Sequence, residues 1–160
     1  MLAIAHALVG GAIAKTIPDP ATGILLSLTS HFIMDSIPHW DVGTNWRKRQ
    51  KYVTGIVAIL DTVIGITLAY LVFQGKVATG YLSLAIIASL LPDWLETPWY
   101  IFFANAQKQK PAARAGFLEK LCFRIYKGES AFHHKTEFPL GLMTQLVTLA
   151  FFFLLLSSPG

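Results

Sequence analysis

The chain has 160 residues, of which 54% are hydrophobic and only 14% charged, with a mean hydropathy of +0.53. Soluble domains carry about 25% charged residues, so this balance excludes an ordinary water-soluble globule and a disordered chain, and the length suits one membrane domain over 1–160. The net charge of +4 does not mark a nucleic-acid partner, because the basic residues flank apolar runs instead of sharing one face.

The first apolar run, 2–17, superficially resembles a signal peptide but lacks a basic leader and carries His6, so it reads as a retained span. Gly10 and Gly11 behind His6 would let another helix approach closely. Pro18-Asp19-Pro20 stops that helix, and the second run, 21–37, completes a hairpin that either spans a thin region or re-enters. It delivers Ser-His-Phe-Ile-Met-Asp-Ser-Ile-Pro-His-Trp-Asp at 30–41. His31 and Asp35 stand one helical turn apart on one face, Pro38 ends the helix, and His39 and Asp41 follow.

The third run, 52–73, easily reaches the roughly 20 residues that a span needs. Asp61 sits within it, roughly 13 Å along the helix from Tyr52. It reads either as a partner orienting a ligand histidine or as a protonated carboxyl bonded to a neighbouring helix. The fourth run, 77–103, is interrupted at Pro92-Asp93, so the part from Trp94 to Phe103 is expected to kink or lie in the interface. It carries Asp93 and Glu96. The polar segment 104–138 holds Phe117, Leu121 and Ile125, with Leu118 and Cys122, at helical spacing against Arg114, Lys120, Arg124 and Lys127. That pattern predicts a basic amphipathic helix, suited to an anionic membrane surface or to a solvated connector. His133 and His134, with Glu137 nearby, precede the fifth run, 139–156. Trp40, Trp46, Trp94, Trp99 and Tyr100 occupy belt positions.

The expected fold is therefore all-α: a polytopic integral membrane protein with about five hydrophobic helices, some short or broken, and an interfacial basic helix. Segments 42–51 and 104–138 hold 11 of the 13 Lys and Arg residues. With five spans both fall on one side, which the positive-inside rule makes cytoplasmic. The N-terminus is then inside, the C-terminus outside, and the membrane an inner membrane. In this topology His6, the 31–41 element, Asp93 with Glu96, and His133-His134 all reach the cytoplasmic face at similar depth.

Cys122 is the sole cysteine, so thiolate zinc sites and internal disulfides are excluded. Ligands must be imidazole and carboxylate, which suit a divalent metal: zinc first, with manganese or iron as alternatives. The candidate ligands are His6, His31, Asp35, His39, Asp93, His133 and His134. Their adjacency lets at most one of His133 and His134 face the same ion. Glu96 and Asp41 are candidate catalytic bases. The competing structural reading pairs His31 with Asp35 as a hydrogen-bonded couple. No G-x-S-x-G, P-loop, HExxH or dinucleotide-binding pattern occurs.

On AHALVGG, SHFIMDSIP, LLPDW and FHHKTE the chain resembles the membrane-bound metal-dependent hydrolases typified by the LexA-binding, inner-membrane-associated hydrolases. The resemblance implies a metal site at His6, His31, Asp35, Asp93 and His133 or His134. It departs from the family's Pro-Asp-x-Asp, having Pro-Asp-Trp-Leu-Glu, and from its His-Arg-Gly-x-Thr-His, having His-His-Lys-Thr-Glu; the order of elements also differs. It is closer to small bacterial membrane proteins bearing Ser-His-Phe-x-x-Asp-x-x-Pro-His-Trp-Asp. The expected function is a metal-dependent hydrolase at the cytoplasmic interface, acting on a lipid-like or phospho-ester substrate. The alternatives are a cation or proton transporter using the same cluster, and a non-catalytic scaffold.

Overall fold

The computed structural model describes residues 1–42, 50–105 and 108–157. Trp46, Arg47, Lys48 and Arg49, on which much of the expected belt and charge asymmetry rests, lie outside them. The helices are α1 (Ala3–Thr16), α2 (Pro20–Asp35), α3 (Lys51–Phe73), α4 (Thr79–Pro98), α5 (Phe117–Ser130) and α6 (Leu140–Ser157), with a π-helical turn at Trp99–Phe103. Among the described residues the chain is all-helical, and each apolar run of the sequence forms one helix. Among the described residues only α3, at 23 residues, is long and apolar enough to cross a membrane; α1 and α6 are shorter apolar helices.

α1 is the centre of the packing, touching α2, α3, α4 and α6. Its alanines and glycines make this possible by keeping the helix thin. At Gly10 a Cβ would stand 2.7 Å from Ser89 Oγ and 3.0 Å from the Ala85 carbonyl of α4, so only glycine allows that approach. Gly65 of α3 performs the same service against Ile4, whose Cα would lie 2.8 Å from an added Cβ. Ala7, Leu82, Ile86 and Phe73 close one apolar cluster around this contact, and Val9, Ile13 and Met34 close a second.

The starts of α2 and α1 are fixed by carboxylates. Asp19 accepts from the Thr22 backbone N–H at 2.8 Å and the Thr22 hydroxyl at 2.6 Å, with Pro20 at the first position of α2. α1 has no such residue of its own. Asp61 supplies the cap from α3, its two oxygens accepting from Ala3 N–H at 2.7 Å and Ile4 N–H at 3.3 Å. Of the two roles expected of Asp61, the bond to a neighbouring helix is the one seen, and it anchors the helix that carries His6.

α4 also differs from expectation, running unbroken through Pro92 to Pro98. Pro92 cannot donate to the Ala88 carbonyl. In that same turn the Ser89 carbonyl accepts from His31, so the irregular turn is occupied by a side chain of α2. α5 is amphipathic, but it docks through Cys122, Phe123 and Tyr126 onto Trp99, leaving Phe117 and Leu118 exposed. From α5 the chain returns beside 35–40. His134 N–H donates to the Asp35 carbonyl at 3.0 Å, His39 N–H to the His134 carbonyl at 2.9 Å, and Thr136 N–H to the His39 carbonyl at 2.8 Å.

Candidate metal centre

Four elements meet at one end of the bundle. α1 contributes His6, the end of α2 contributes His31 and Asp35, and the turn after it His39 and Asp41. α4 adds Asp93, and the strip paired against 35–40 adds His133. Asp35 lies at the middle and is almost wholly buried. Its Oδ1 is 3.1 Å from His6 Nε2 and 3.7 Å from His39 Nε2; its Oδ2 is 3.2 Å from His31 Nε2 and 2.9 Å from His133 Nε2. The Met1 nitrogen also pairs with Asp35 Oδ1. Asp93 Oδ1 is 3.8 Å from His31 Nε2. Asp41 Oδ2 is 3.4 Å from His133 Nε2 and 3.7 Å from His39 Nε2.

The protons on two of the rings follow from their acceptors. His31 Nδ1–H donates to the Ser89 carbonyl at 2.7 Å, and His39 Nδ1–H to the Ile37 carbonyl at 2.8 Å. A carbonyl can only accept, so in each ring Nδ1 carries a proton and Nε2 is the atom turned toward the carboxylates. Gathering these nitrogens and carboxylate oxygens in a buried site calls for positive charge, from protons, from the Met1 ammonium that pairs with Asp35, or from a metal ion. Protons would serve only if several adjoining imidazoles were charged together, and His6 and His31 are stacked with centroids 4.0 Å apart. Alignment is poor for protons: His31 Nε2 and His133 Nε2 come within 3.2 Å and 2.9 Å of Asp35 Oδ2, yet these atoms and His39 Nε2 do not meet at hydrogen-bonding angles.

It is good for a metal. Ligands about 2.1 Å from a common ion stand about 3.0–3.4 Å from one another, close to the separations here. The ligand atoms form two groups, His6 with His31 and Asp93, and Asp35 with His39 and His133, and within each group they lie within 4.8 Å of one another. The carbonyls holding His31 and His39 are the outer contacts that commonly orient metal-bound imidazoles.

Electrostatics at the outer edge point the same way. Burial opposes charge on His133, but the carboxylates of Asp35 and Asp41 outweigh it and raise its pKa to about 9. Burial likewise opposes the charge on Asp41, but His133, His39 and Lys135 hold its carboxyl well below the usual range. Lys135 Nζ is 3.0 Å from Asp41 Oδ2. A proton or a metal ion is what this acidic, imidazole-rich environment is arranged to keep.

Of the residues singled out in the sequence, the structure brings together His6, His31, Asp35, His39, Asp41, Asp93 and His133. His134 does not join them. Its side chain is exposed, with Nδ1 3.2 Å from the Phe132 carbonyl, and its contribution is through its backbone. Glu137 is exposed as well. Glu96 is buried one turn beyond Asp93, with Oε2 unpartnered, and faces a pocket of about 180 Å³ shared with Asp41, Asp61, Asp93 and Lys135. Sequence reasoning did not select Ser89, Lys135 or Gln145; the last is buried and accepts from the Leu2 N–H at 2.7 Å. Lys135 alone had a signal, two residues after His133 and four before the apolar run. No protein-family model, curated protein or solved structure matches the chain.

Proposed function

We propose that the chain is a multi-pass membrane protein whose His/Asp cluster holds a pair of divalent cations, zinc or manganese, and hydrolyses a phosphate ester at the cytoplasmic membrane interface. The observation that carries this reading is the ring of four Nε2 atoms around Asp35, two of them turned inward by carbonyl-bonded Nδ1–H groups. Seven ligand side chains exceed the four or so that one zinc ion takes. His6, His31 and Asp93 would hold one ion and His39, His133 and Asp41 the other, with Asp35 between them. Bound there, the cations would lower the pKa of water toward about 7 and polarise a phosphoryl oxygen.

The protein's own groups do the rest. Asp35 balances charge at the centre and fixes the spacing of the two ligand groups. Glu96, buried with its Oε2 unpartnered, is the base that takes the proton of the attacking water as the phosphorus–oxygen ester bond breaks. The departing alcohol oxygen gains a proton in exchange, so the reaction consumes one water. Lys135, anchored on Asp41, faces the non-bridging oxygens of the ester. Buried apolar walls at α1 and α4 keep bulk water from the site.

The transporter reading drew its support from Asp61 deep in α3. Both oxygens of Asp61 are engaged by the N-terminus of α1, which leaves that residue poorly suited to relay a cation. The reading is tested by assaying the purified protein on p-nitrophenyl phosphate before and after chelation and on returning Zn²⁺ or Mn²⁺. Activity should follow metal content, and Glu96→Gln should lower kcat with metal content unchanged. A metal-replete protein without phosphoesterase activity would overturn the hydrolase assignment.

A further inference from the structure

α3 leans on α1 through Gly65 and Ala69 and separates from the end of α4, leaving the pocket of about 180 Å³ between them. Its α3 wall is cut by small side chains at helical spacing, Thr54, Gly55 and Ala58. At Gly55 an added Cβ would meet nothing within 4 Å. The mouth is rimmed by Ile59, Trp94 and Ile101, which are 52%, 39% and 51% exposed. An opening onto water would not be framed by such residues, whereas one onto hydrocarbon would.

The inner end has the opposite character. Asp41, Asp93 and Lys135 belong to both the pocket and the metal centre. Two buried polar atoms in the wall, Thr54 Oγ1 and Glu96 Oε2, have no hydrogen-bond partner. Such atoms are costly to bury unless something pairs with them, and they face the cavity. The pocket is thus apolar at its mouth, hydrogen-bonding in its middle and cationic at its floor once metal is present.

We infer that this gap is a lateral portal for a single-chain lipid phosphate. Its acyl chain lies between α3 and α4, a glycerol-type hydroxyl meets Thr54 and Glu96, and its phosphate reaches Lys135 and the metal ions. This deepens the proposed function by naming its substrate class, and it rests on that reading for the headgroup alone.

The test uses the full-length protein in detergent micelles, photolysed with a lysophosphatidic acid bearing a diazirine on its acyl chain, with metal content measured on the same samples. Labelling should map to residues of α3 and 94–101 that line the portal. Gly55→Leu fills the groove without a clash and favours the helix, so it should cut labelling by about tenfold or more while metal content stays unchanged. A monoacylglycerol of the same chain should compete about tenfold less well in the metal-loaded protein and equally well after chelation. Labelling confined to the outer faces of α3 and α6, or unchanged in Gly55→Leu, would overturn the portal while leaving the metal centre standing. Labelling that maps to the portal in a protein that holds no metal as purified and takes up none when Zn²⁺ or Mn²⁺ is added would support the portal and overturn the phosphoesterase reading instead.

Discussion

α1 and α3 lie side by side, yet their side chains are disposed in opposite senses. Ten of the fourteen residues of α1 are buried, among them the ionisable His6. α3 is the more apolar helix, and of its 23 residues only Gly65, Ala69 and Phe73 are buried, while Ile56, Leu60 and Val63 are each more than half exposed. In water this is the wrong way round, because apolar burial is the main force available for folding. In hydrocarbon it is expected: lipid is as apolar as leucine, packing relies on small residues, and polar groups collect inside around something that satisfies them. On the proposed membrane reading, the His/Asp cluster and the bare face of α3 are two consequences of one solvent.

The largest test of the interior half is Asp35→Ala. It should weaken divalent-metal binding by more than about 100-fold, a loss larger than outer contacts alone produce, and leave four imidazoles without their central counter-charge. Removing one partner from such a buried set should destabilise the protein by about 3–5 kcal/mol, read by thermal unfolding at neutral pH. Asp35→Asn, which keeps the shape, should lose the metal with a smaller fall in stability.

Next in size is a pH effect with a defined sign. In metal-free protein the pKa of His133 is raised from 6.5 to about 9, so its pairing with Asp35 and Asp41 contributes on the order of 3 kcal/mol. That contribution is fully present below about pH 6.5 and is lost as pH rises through about 9. With metal bound the same ring must be neutral, so metal affinity should rise over this range. Unfolding curves collected with chelator and with added Zn²⁺ should therefore have opposite pH slopes between those limits.

Leu60→Lys tests the exterior half. A lysine near the middle of a span costs about 2.5–3.5 kcal/mol on insertion scales, so the variant should reach the membrane fraction in lower yield. Were α3 exposed to water, the same change would fall within about ±0.5 kcal/mol. Gly10→Ala comes below it: the new methyl meets Ser89 and Ala85, and overpacking of this kind costs about 1–3 kcal/mol, measurable by denaturant titration. The smallest effect belongs to His134→Ala, whose exposed ring should be dispensable for metal content and for stability alike.

Much of this was legible in the sequence. The apolar runs gave the helices nearly to the residue, since periodicity and proline punctuation act locally, and His31 with Asp35 declared themselves by standing one turn apart. What lay hidden depended on the placement of one helix against another. Asp61 looks the same in sequence whether it relays protons or caps α1. Ser89 enters the site through a backbone carbonyl, which no residue type announces. Pro92 was expected to break α4, but packing against α1 and α2 carries the helix past it. The contrast between His133 and His134 was foreseen only as a choice of one, because the strip at 133–136 takes its register from hydrogen bonds to 35–40.

The central claim is that the buried cluster is a metal site, and it is tested most directly by elemental analysis of the protein purified without chelator, beside Asp35→Ala and His134→Ala. The account predicts about two divalent ions per chain in the wild type and in His134→Ala, and close to none in Asp35→Ala. A well-folded wild-type protein that carries no metal, and whose unfolding temperature does not move when Zn²⁺ or Mn²⁺ is added, would contradict it.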